Sequence, residues 1–303
     1  MSTRELIVLG TAGQTPTRDR STGGCALKWD ASLLLFDPGE GFQRQCLHAG
    51  VAVSRADALF LTHMHGDHCL GLPGVLHRRI LDGASTQLPI YFPSASRSVL
   101  DHLLASSLFT DTNLIDLRPV GAGVVGTVDG LTVSAIRLEH PVPTFGYRLQ
   151  EDSSTRLDAD KLSEAGIEGT AVRDLMRGKA VTVGGSVHTL AAFELERPGQ
   201  SMAYVLDTAL CSEAIEIAAG VDLLVCEATY LHAEQRWARE RGHMTAREAG
   251  WLAREAGARR LVMTHFSGRY TDLRPFAEEA GELHDDVVVA TDLARVAVPE
   301  RQR

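Results

Sequence analysis

The chain has few cysteines and no apolar run that approaches membrane-spanning length. Its five cysteines are odd in number, scattered, and never spaced as Cys-x-x-Cys, which argues against a disulfide framework and indicates buried thiols in a reducing compartment. The apolar run at 6–9 is too short for a signal peptide and predicts a first strand. We therefore expect a cytoplasmic protein without a membrane partner.

Positive charge is also scarce. The net charge of −9 over 303 residues argues against a generic nucleic-acid binder. An acidic protein can still hold RNA through one local positive groove, to which bound divalent ions would add charge. The basic residues do cluster, although each cluster alone is more typical of a solvated face. The clusters are Arg18 with Arg20, Arg78 with Arg79, Arg173 with Arg177 and Lys179, and Arg236 with Arg239 and Arg241.

The most informative segment is 62–68, which reads Thr-His-Met-His-Gly-Asp-His directly after an apolar run. His63 and His65 lie on one side of an extended segment, and the chain can turn at Gly66 to present Asp67 and His68. Imidazole and carboxylate together suit Zn²⁺ or a similar ion. One such turn can aim two ligands at one ion and two at its neighbour.

Five further apolar runs of strand length end at a metal-type or acid–base residue. These residues are Asp37, His140, Asp207, Glu227 and His265. If the strands share sheets, the residues converge on one edge. Each of them alone is explained as well by a surface acid or a capping residue, but six runs of this kind favour a common site.

These residues carry a resemblance to the metallo-β-lactamase fold hydrolases and, more narrowly, to the ribonuclease Z family of tRNA 3′-processing endonucleases. The resemblance runs almost from end to end. It includes the segments 9–12, 36–41, 63–68, 145–148, 227–229, 243–245 and 264–267. It implies a homodimer and a precursor-tRNA substrate, cut to leave a 3′-hydroxyl on the tRNA and a 5′-phosphate on the trailer.

The order of predicted elements is α/β, with two β-sheets sandwiched between helices. The resemblance implies the four-layer αββα metallo-β-lactamase sandwich, as one domain over 1–303. Helices are expected at 74–81, 95–105 and 212–219, and a capping box at Thr245 predicts another that reaches Ala256. Residues 150–200 differ: two short helices and a hairpin around 184–185 predict an insert, which the resemblance identifies as a tRNA-clamping arm. A lid or a dimerisation insert is the alternative.

Ligand chemistry predicts a site for two metal ions per chain. His63, His65 and His140 would hold one zinc, and Asp67, His68 and His265 the other. Asp207 would bridge them, because a carboxylate has two oxygens. Zinc is expected, although manganese or iron would suit the same ligands.

Three residues are candidates for acid–base work on a phosphodiester. Asp67 would orient or deprotonate the attacking water, as the resemblance also implies. His243 would protonate the 3′-oxygen leaving group, and Glu227 would orient His243 and raise its pKa. Asp37 would hold one imidazole in the correct tautomer. For substrate contacts, Arg18 and Arg20 are candidates to reach phosphates. The segment 266–270 is a candidate to stack on a base, although packing is at least as good an explanation of Tyr270.

The sequence therefore predicts a zinc-dependent endoribonuclease that removes the 3′ trailer from precursor tRNA. The first alternative is a dinuclear phosphodiesterase or arylsulfatase of the same fold that acts on small esters. A second alternative is a non-catalytic RNA-binding or scaffold protein, against which the intact ligand set argues.

Overall fold

The structure is a computed structural model that describes residues 4–108 and 112–300. The strands are β1 (Arg4–Gly10), β2 (Ala12–Gly13), β3 (Gly24–Trp29), β4 (Ser32–Phe36), β5 (Ala58–Phe60), β6 (Leu88–Pro93), β7 (Ile115–Val120), β8 (Gly123–Val128), β9 (Leu131–Arg137), β10 (Phe145–Glu151), β11 (Ser154–Leu157), β12 (Val181–Val183), β13 (Ser186–His188), β14 (Glu194–Arg197), β15 (Ser201–Val205), β16 (Leu223–Glu227), β17 (Arg260–Thr264), β18 (Phe266–Ser267), β19 (Val287–Val289) and β20 (Arg295–Ala297). The α-helices are α1 (Phe42–Ala49), α2 (Gly66–Cys69), α3 (Leu72–Leu81), α4 (Arg97–Leu104), α5 (Ala159–Glu164), α6 (Thr170–Met176), α7 (Ser212–Ile217), α8 (Gln235–Arg241), α9 (Ala246–Ala256) and α10 (Arg274–Gly281).

Two seven-stranded sheets pack face to face. Their orders are β20-β1-β3-β4-β5-β6-β7 and β19-β17-β16-β15-β10-β9-β8. Central strands such as β4, β15 and β16 are buried along their whole length because both faces of each sheet are covered there. Between the sheets, Phe36 of β4 packs on Tyr204 of β15 with ring centroids 4.7 Å apart, within a continuous apolar core.

Helices cover the outer face of each sheet. Side chains of α1, α3 and α4 pack with the outer residues of the first sheet, and those of α7, α9 and α10 pack with the second. The predicted four-layer αββα sandwich is confirmed. The helix expected from the capping box begins after Thr245, whose hydroxyl accepts from the backbone N–H of Glu248, and it ends at Ala256.

The thiols are unpaired, as the cysteine pattern indicated. Cys25, Cys46, Cys69 and Cys226 are buried, and burial raises the pKa of Cys25 and Cys46 to about 12. Among the described residues, the structure contains no helix long and apolar enough to cross a membrane.

The chain divides into two compact units, Met1–Gln150 with Ser201–Arg303, and Glu151–Gln200. The second unit contains the two expected helices, α5 and α6, and the expected hairpin, β12–β13. Its own small core is formed by Leu162, Ile167, Leu175 and Phe193. At its base, β11 pairs antiparallel with β14, so that Ser154 lies opposite Arg197. That this unit is an arm for tRNA stays a prediction.

Candidate metal centre

The predicted ligands come from strand ends that the topology brings to one edge. β4 and β5 are parallel neighbours in one sheet, as are β15, β16 and β17 in the other. Parallel neighbours present their carboxyl ends on the same side of a sheet. Asp37 and the 62–68 segment therefore face Asp207, Glu227 and His265 across the sandwich.

One group of ligand atoms consists of His63, His65, His140 and Asp207, all within 4.8 Å of one another. His65 Nδ1 lies 2.9 Å from His63 Nε2 and 3.4 Å from His140 Nε2. Asp207 Oδ2 lies 3.5 Å from His63 Nε2 and 3.9 Å from His140 Nε2. Two nitrogens on one tetrahedral zinc are about 3.4 Å apart, so this spacing suits a single ion.

A second group consists of Asp67, His68 and His265. His68 Nε2 lies 3.3 Å from His265 Nε2, and Asp67 Oδ2 lies 3.4 and 3.3 Å from these two nitrogens. Asp207 reaches this group through its other oxygen, with Oδ1 3.3 Å from both nitrogens. The two oxygens of Asp207 thus face different groups, which is the arrangement that a bridging carboxylate requires.

The donor set fits two divalent cations. Asp207 Oδ1 is buried and, among the described residues, has no hydrogen-bond partner, which is costly unless a cation occupies that position. Burial lowers the pKa of His63, His65 and His140, so their imidazoles are neutral and free to ligate. Burial raises the pKa of Asp67 and Asp207, but the neighbouring imidazoles outweigh burial and hold both carboxyls well below their usual range.

Asp37 fixes two of these imidazoles, one of them as expected from the sequence. Its Oδ2 lies 2.9 Å from His68 Nδ1 and accepts from the Thr62 hydroxyl at 2.7 Å. That hydroxyl lies 3.0 Å from His63 Nδ1 and, since its own proton goes to Asp37, accepts from the ring. Both rings are therefore held with Nε2 free toward the ligand group.

Glu227 performs the equivalent task on the other sheet. Its Oε2 accepts from the Thr229 hydroxyl at 2.6 Å, and that hydroxyl lies 3.0 Å from His265 Nδ1. Its Oε1 lies 3.0 Å from His243 Nδ1. Thr62 and Thr229 were missed as site residues, although Thr62 opens the 62–68 segment and Thr229 lies in the 227–229 motif.

His140 is oriented by a backbone carbonyl. Its Nδ1 lies 2.9 Å from the carbonyl oxygen of Gly242. Gly242 ends α8 with φ of 70° and sits so close to His140 that an added Cβ would lie 3.0 Å from Nδ1. Both the left-handed backbone and the close approach require glycine here.

His243 lies beside the two ligand groups, and its nitrogen is within 4.8 Å of Asp207 and His265. Burial lowers its pKa, but the Glu227 carboxylate outweighs burial and raises the pKa of His243 to about 9. A proton donor must be charged, and the Glu227 carboxylate favours the charged imidazole. The pairing with Glu227 therefore suits His243 to the role of an acid.

Three strand-end residues adopt left-handed backbone: Asp37 (φ 43°), Asp207 (φ 50°) and His265 (φ 62°). Such backbone costs on the order of 1 kcal/mol in a non-glycine residue and clusters at functional sites. In each case the turn follows the end of a strand and directs the side chain into the site.

Two cavities meet at the ligand groups. One, of about 370 Å³, is lined by His140, Asp207, Arg241 and His243 among others. The other, of about 350 Å³, is lined by Thr22, Glu40 and Leu70. Gln14, His65 and Asp67 line both cavities, so a chain-like substrate can cross the site. The Gln14 backbone N–H also donates to Asp67 Oδ2 at 2.7 Å.

Two expected RNA contacts, those of Arg20 and Phe266, are wrong. The guanidinium of Arg20 donates to the carbonyl oxygens of Phe266, Ser267 and Tyr270, so it braces this loop instead of reaching a phosphate. Phe266 is fully buried against Phe276, and Tyr270 packs on the same ring at 5.0 Å. The ring of Phe266 is therefore not available to stack on a base, and Tyr270 packs, as the sequence also allowed.

Comparison with known proteins shows the family to which the chain belongs. The model of the β-lactamase superfamily domain matches residues 33–159 and 161–266. The chain is 46% identical over 308 aligned residues to the ribonuclease Z of Nocardia farcinica, with 100% of both chains covered. It is 44% identical to the ribonuclease Z of Salinispora arenicola, with 100% of this chain and 98% of the relative covered.

Solved structures share the fold. The short form of human tRNase Z superposes with a TM-score of 0.70 at 22% identity, over 98% of this chain and 100% of the other. The metallo-β-lactamase fold protein YhfI from Bacillus subtilis gives a TM-score of 0.72 at 20% identity, over 98% and 99% of the two chains. The chain therefore belongs to the β-lactamase superfamily and, within it, to the ribonuclease Z family.

Proposed function

We propose that the protein is a metal-dependent endoribonuclease that removes the 3′ trailer from precursor tRNA, leaving a 3′-hydroxyl on the tRNA and a 5′-phosphate on the trailer. The observation that carries the proposal is the pair of ligand groups joined by Asp207, in a chain 46% identical over its full length to a ribonuclease Z. No observation favours the small-ester hydrolase over this function.

Two zinc ions per chain are proposed, one at His63, His65 and His140 and one at Asp67, His68 and His265, with Asp207 shared. The mixed nitrogen and oxygen donors would also accept manganese or iron. When bound, the ions supply Lewis-acid chemistry that activates water and neutralises charge developing on the phosphoryl oxygens.

The protein's own side chains supply the proton transfers. Asp67 faces both cavities and is held by the Gln14 N–H, so it can orient the attacking water and accept its proton. His243 uses Nδ1 for Glu227 and lines the 370 Å³ cavity, which leaves the Nε2 proton for the departing 3′-oxygen. Glu227 keeps His243 charged until that proton is transferred.

The proposal extends to the setting of the enzyme. The unit at 151–200 is taken as an inserted arm of one metallo-β-lactamase domain spanning 1–303, and the enzyme as a cytoplasmic homodimer. The unpaired thiols support a reducing compartment. Light scattering during size-exclusion chromatography tests the dimer.

The function is tested by incubating the zinc-loaded protein with labelled precursor tRNA and, separately, with bis-p-nitrophenyl phosphate. We expect both to be hydrolysed and the tRNA product to carry a 3′-hydroxyl. Turnover of the small ester alone would favour the small-ester hydrolase. Binding of RNA without turnover of either substrate would favour a non-catalytic RNA-binding protein.

The ligand assignment has its own test. His65→Ala removes one ligand of the first group, so it is expected to abolish hydrolysis of both substrates and to lower the zinc content. Arg254→Ala, at an exposed arginine paired with Glu255 on α9, is the matched control. Full zinc content with normal turnover in His65→Ala would contradict the assignment.

A further inference from the structure

An exposed aromatic and basic surface lies on and beside α8. We call it the α8 patch: Arg236, Trp237, Arg239, Arg241 and Arg269. Trp237 leaves 47% of its surface exposed, which is unusual for so large an apolar side chain. The guanidinium carbons of Arg241 and Arg269 lie 4.3 and 5.4 Å from the centroid of the Trp237 ring.

Part of the positive charge of the patch has no acidic partner. Arg236 pairs with Glu240, and Arg269 pairs with Glu234. Within residues 4–108 and 112–300, no carboxylate lies within ion-pair distance of Arg241. In a chain of net charge −9, an exposed arginine that stacks on tryptophan and lacks an acidic partner is suited to a phosphate, because stacking orients the guanidinium and leaves its N–H edge free.

The patch continues into the site. Arg241 lines the 370 Å³ cavity together with His140, Asp207 and His243. Glu240 lines it too, but its carboxylate is paired with Arg236. The second cavity, on the other side of Asp67, is lined by Thr22, Glu40 and Leu70 and by no arginine or lysine. An RNA strand that crosses the ligand groups would therefore meet a guanidinium in the first cavity and no basic side chain in the second.

The position of His243 sets the polarity of the strand. The oxygen that leaves is the 3′-oxygen of the last tRNA nucleotide, and His243 is the group that protonates it. The nucleotides on the tRNA side of the cut must therefore lie in the cavity that His243 and Arg241 share. The trailer must leave through the other cavity.

From this juxtaposition we infer that the α8 patch binds the 3′ end of the tRNA body, on the 5′ side of the cleaved bond, with Arg241 on a phosphate and Trp237 against a base or ribose. The inference rests on the proposed function, since it uses the leaving oxygen of that reaction. It assigns the tRNA and the trailer to opposite cavities.

The test measures cleavage and binding by Trp237→Ala, Trp237→Phe and the control Arg254→Ala. Two precursors are used, identical in the tRNA and differing only in trailer length, one nucleotide against many. Loss of an aromatic stacking partner weakens single-strand binding by roughly tenfold. We expect Trp237→Ala to raise KM about tenfold on both precursors, Trp237→Phe to raise it less, and Arg254→Ala to match the wild type. Hydrolysis of bis-p-nitrophenyl phosphate should be unchanged in all three variants, which also shows that they fold.

Binding measurements distinguish the two sides of the cleaved bond. Trp237→Ala should weaken binding of mature tRNA and leave binding of a free trailer oligonucleotide unchanged. Arg241→Ala should reduce the slope of log Kd for tRNA against log salt by about 0.7–0.9, as expected for one lost phosphate contact. An unchanged KM, or a KM effect seen only with the long trailer, would overturn the inference. Absence of cleavage by the wild type would instead overturn the proposed function, and the mature-tRNA measurement would still decide on the patch.

Discussion

Most of the predicted ligand histidines are oriented by a hydrogen bond at the ring nitrogen that faces away from the ligand group. Asp37 and Glu227 are fully buried, and each orients one histidine directly and a second through a threonine hydroxyl. A hydroxyl that donates to a carboxylate can only accept from the imidazole, so the tautomer is fixed. The site is thus built to present nitrogen lone pairs in fixed directions.

A variant of His243 distinguishes a general acid from a metal ligand at this position. His243→Ala is expected to lower kcat on precursor tRNA by about 10²–10⁴-fold, the usual contribution of a general acid. The loss on bis-p-nitrophenyl phosphate should be much smaller, because p-nitrophenolate departs without a proton. Zinc content, measured by elemental analysis, should be that of the wild type. An equal loss on both substrates together with lost zinc would make His243 a ligand.

The Glu227 carboxylate should set the alkaline limit of activity. His243 must be protonated to act, so the rate falls as pH rises through its pKa. Glu227 raises that pKa, and Glu227→Gln removes the charge that does so. The alkaline limb of the kcat profile should therefore move to lower pH in Glu227→Gln. A limb that stays in place, in a variant with normal zinc content, would show that His243 is not the titrating acid.

The ligands could be predicted from the sequence, whereas some of the contacts around them could not. His63, His65, Asp67 and His68 lie in six consecutive positions after a strand, and spacing alone brings them together. Arg20 was expected at a phosphate because its loop is polar. The direction of its side chain depends on carbonyl groups 246 to 250 positions away in the chain, which no local pattern reports.

Among the secondary-structure elements, α9 begins shortly after the proposed acid His243 and packs on the second sheet. Thr245, two residues after His243, forms a complete capping box with Glu248, and the helix packs its small apolar face on the sheet. This helix was predictable because capping is a local interaction. The two-residue strands β2 and β18 were not, since they exist only through pairing with each other.

The cap should stabilise the whole domain measurably. Thr245→Ala removes the hydroxyl that accepts from the Glu248 N–H, which we expect to lower the free energy of unfolding by about 1–2 kcal/mol. Urea denaturation gives this value. Thr245→Ser retains the hydroxyl and should lose less than half as much. Equal losses in the two variants would mean that the methyl group, and not the cap, stabilises this position.

The unit at 151–200 can be deleted without removing a predicted metal ligand. Ser154 lies opposite Arg197, so replacing 155–195 with a short Gly-Ser linker joins ends that are already close. The ligand groups lie outside this unit. We expect the deletion to spare bis-p-nitrophenyl phosphate hydrolysis and to impair cleavage of precursor tRNA. A parallel loss on both substrates would show that the unit is needed for the fold or the site and not specifically for tRNA.

For the whole molecule, the decisive arrangement is two sheets that each contribute half of the site. The first sheet supplies the 62–68 segment with Asp37, and the second supplies His140, Asp207, Glu227 and His265. That the two halves of the site meet was predictable from the sequence only because several strands end at a metal-type or acid–base residue. An acidic protein with this site must draw its affinity for RNA from local features, and the proposed ions and the α8 patch are the local features with positive charge.

Two cations that share Asp207 are proposed to cut precursor tRNA. Titrating zinc into the metal-depleted protein, while cleavage of labelled precursor tRNA is followed, tests this proposal. We expect no cleavage without metal and a rise that ends at two zinc ions per chain. Full cleavage by the metal-free protein, or a rise that is complete at one ion per chain, would contradict it.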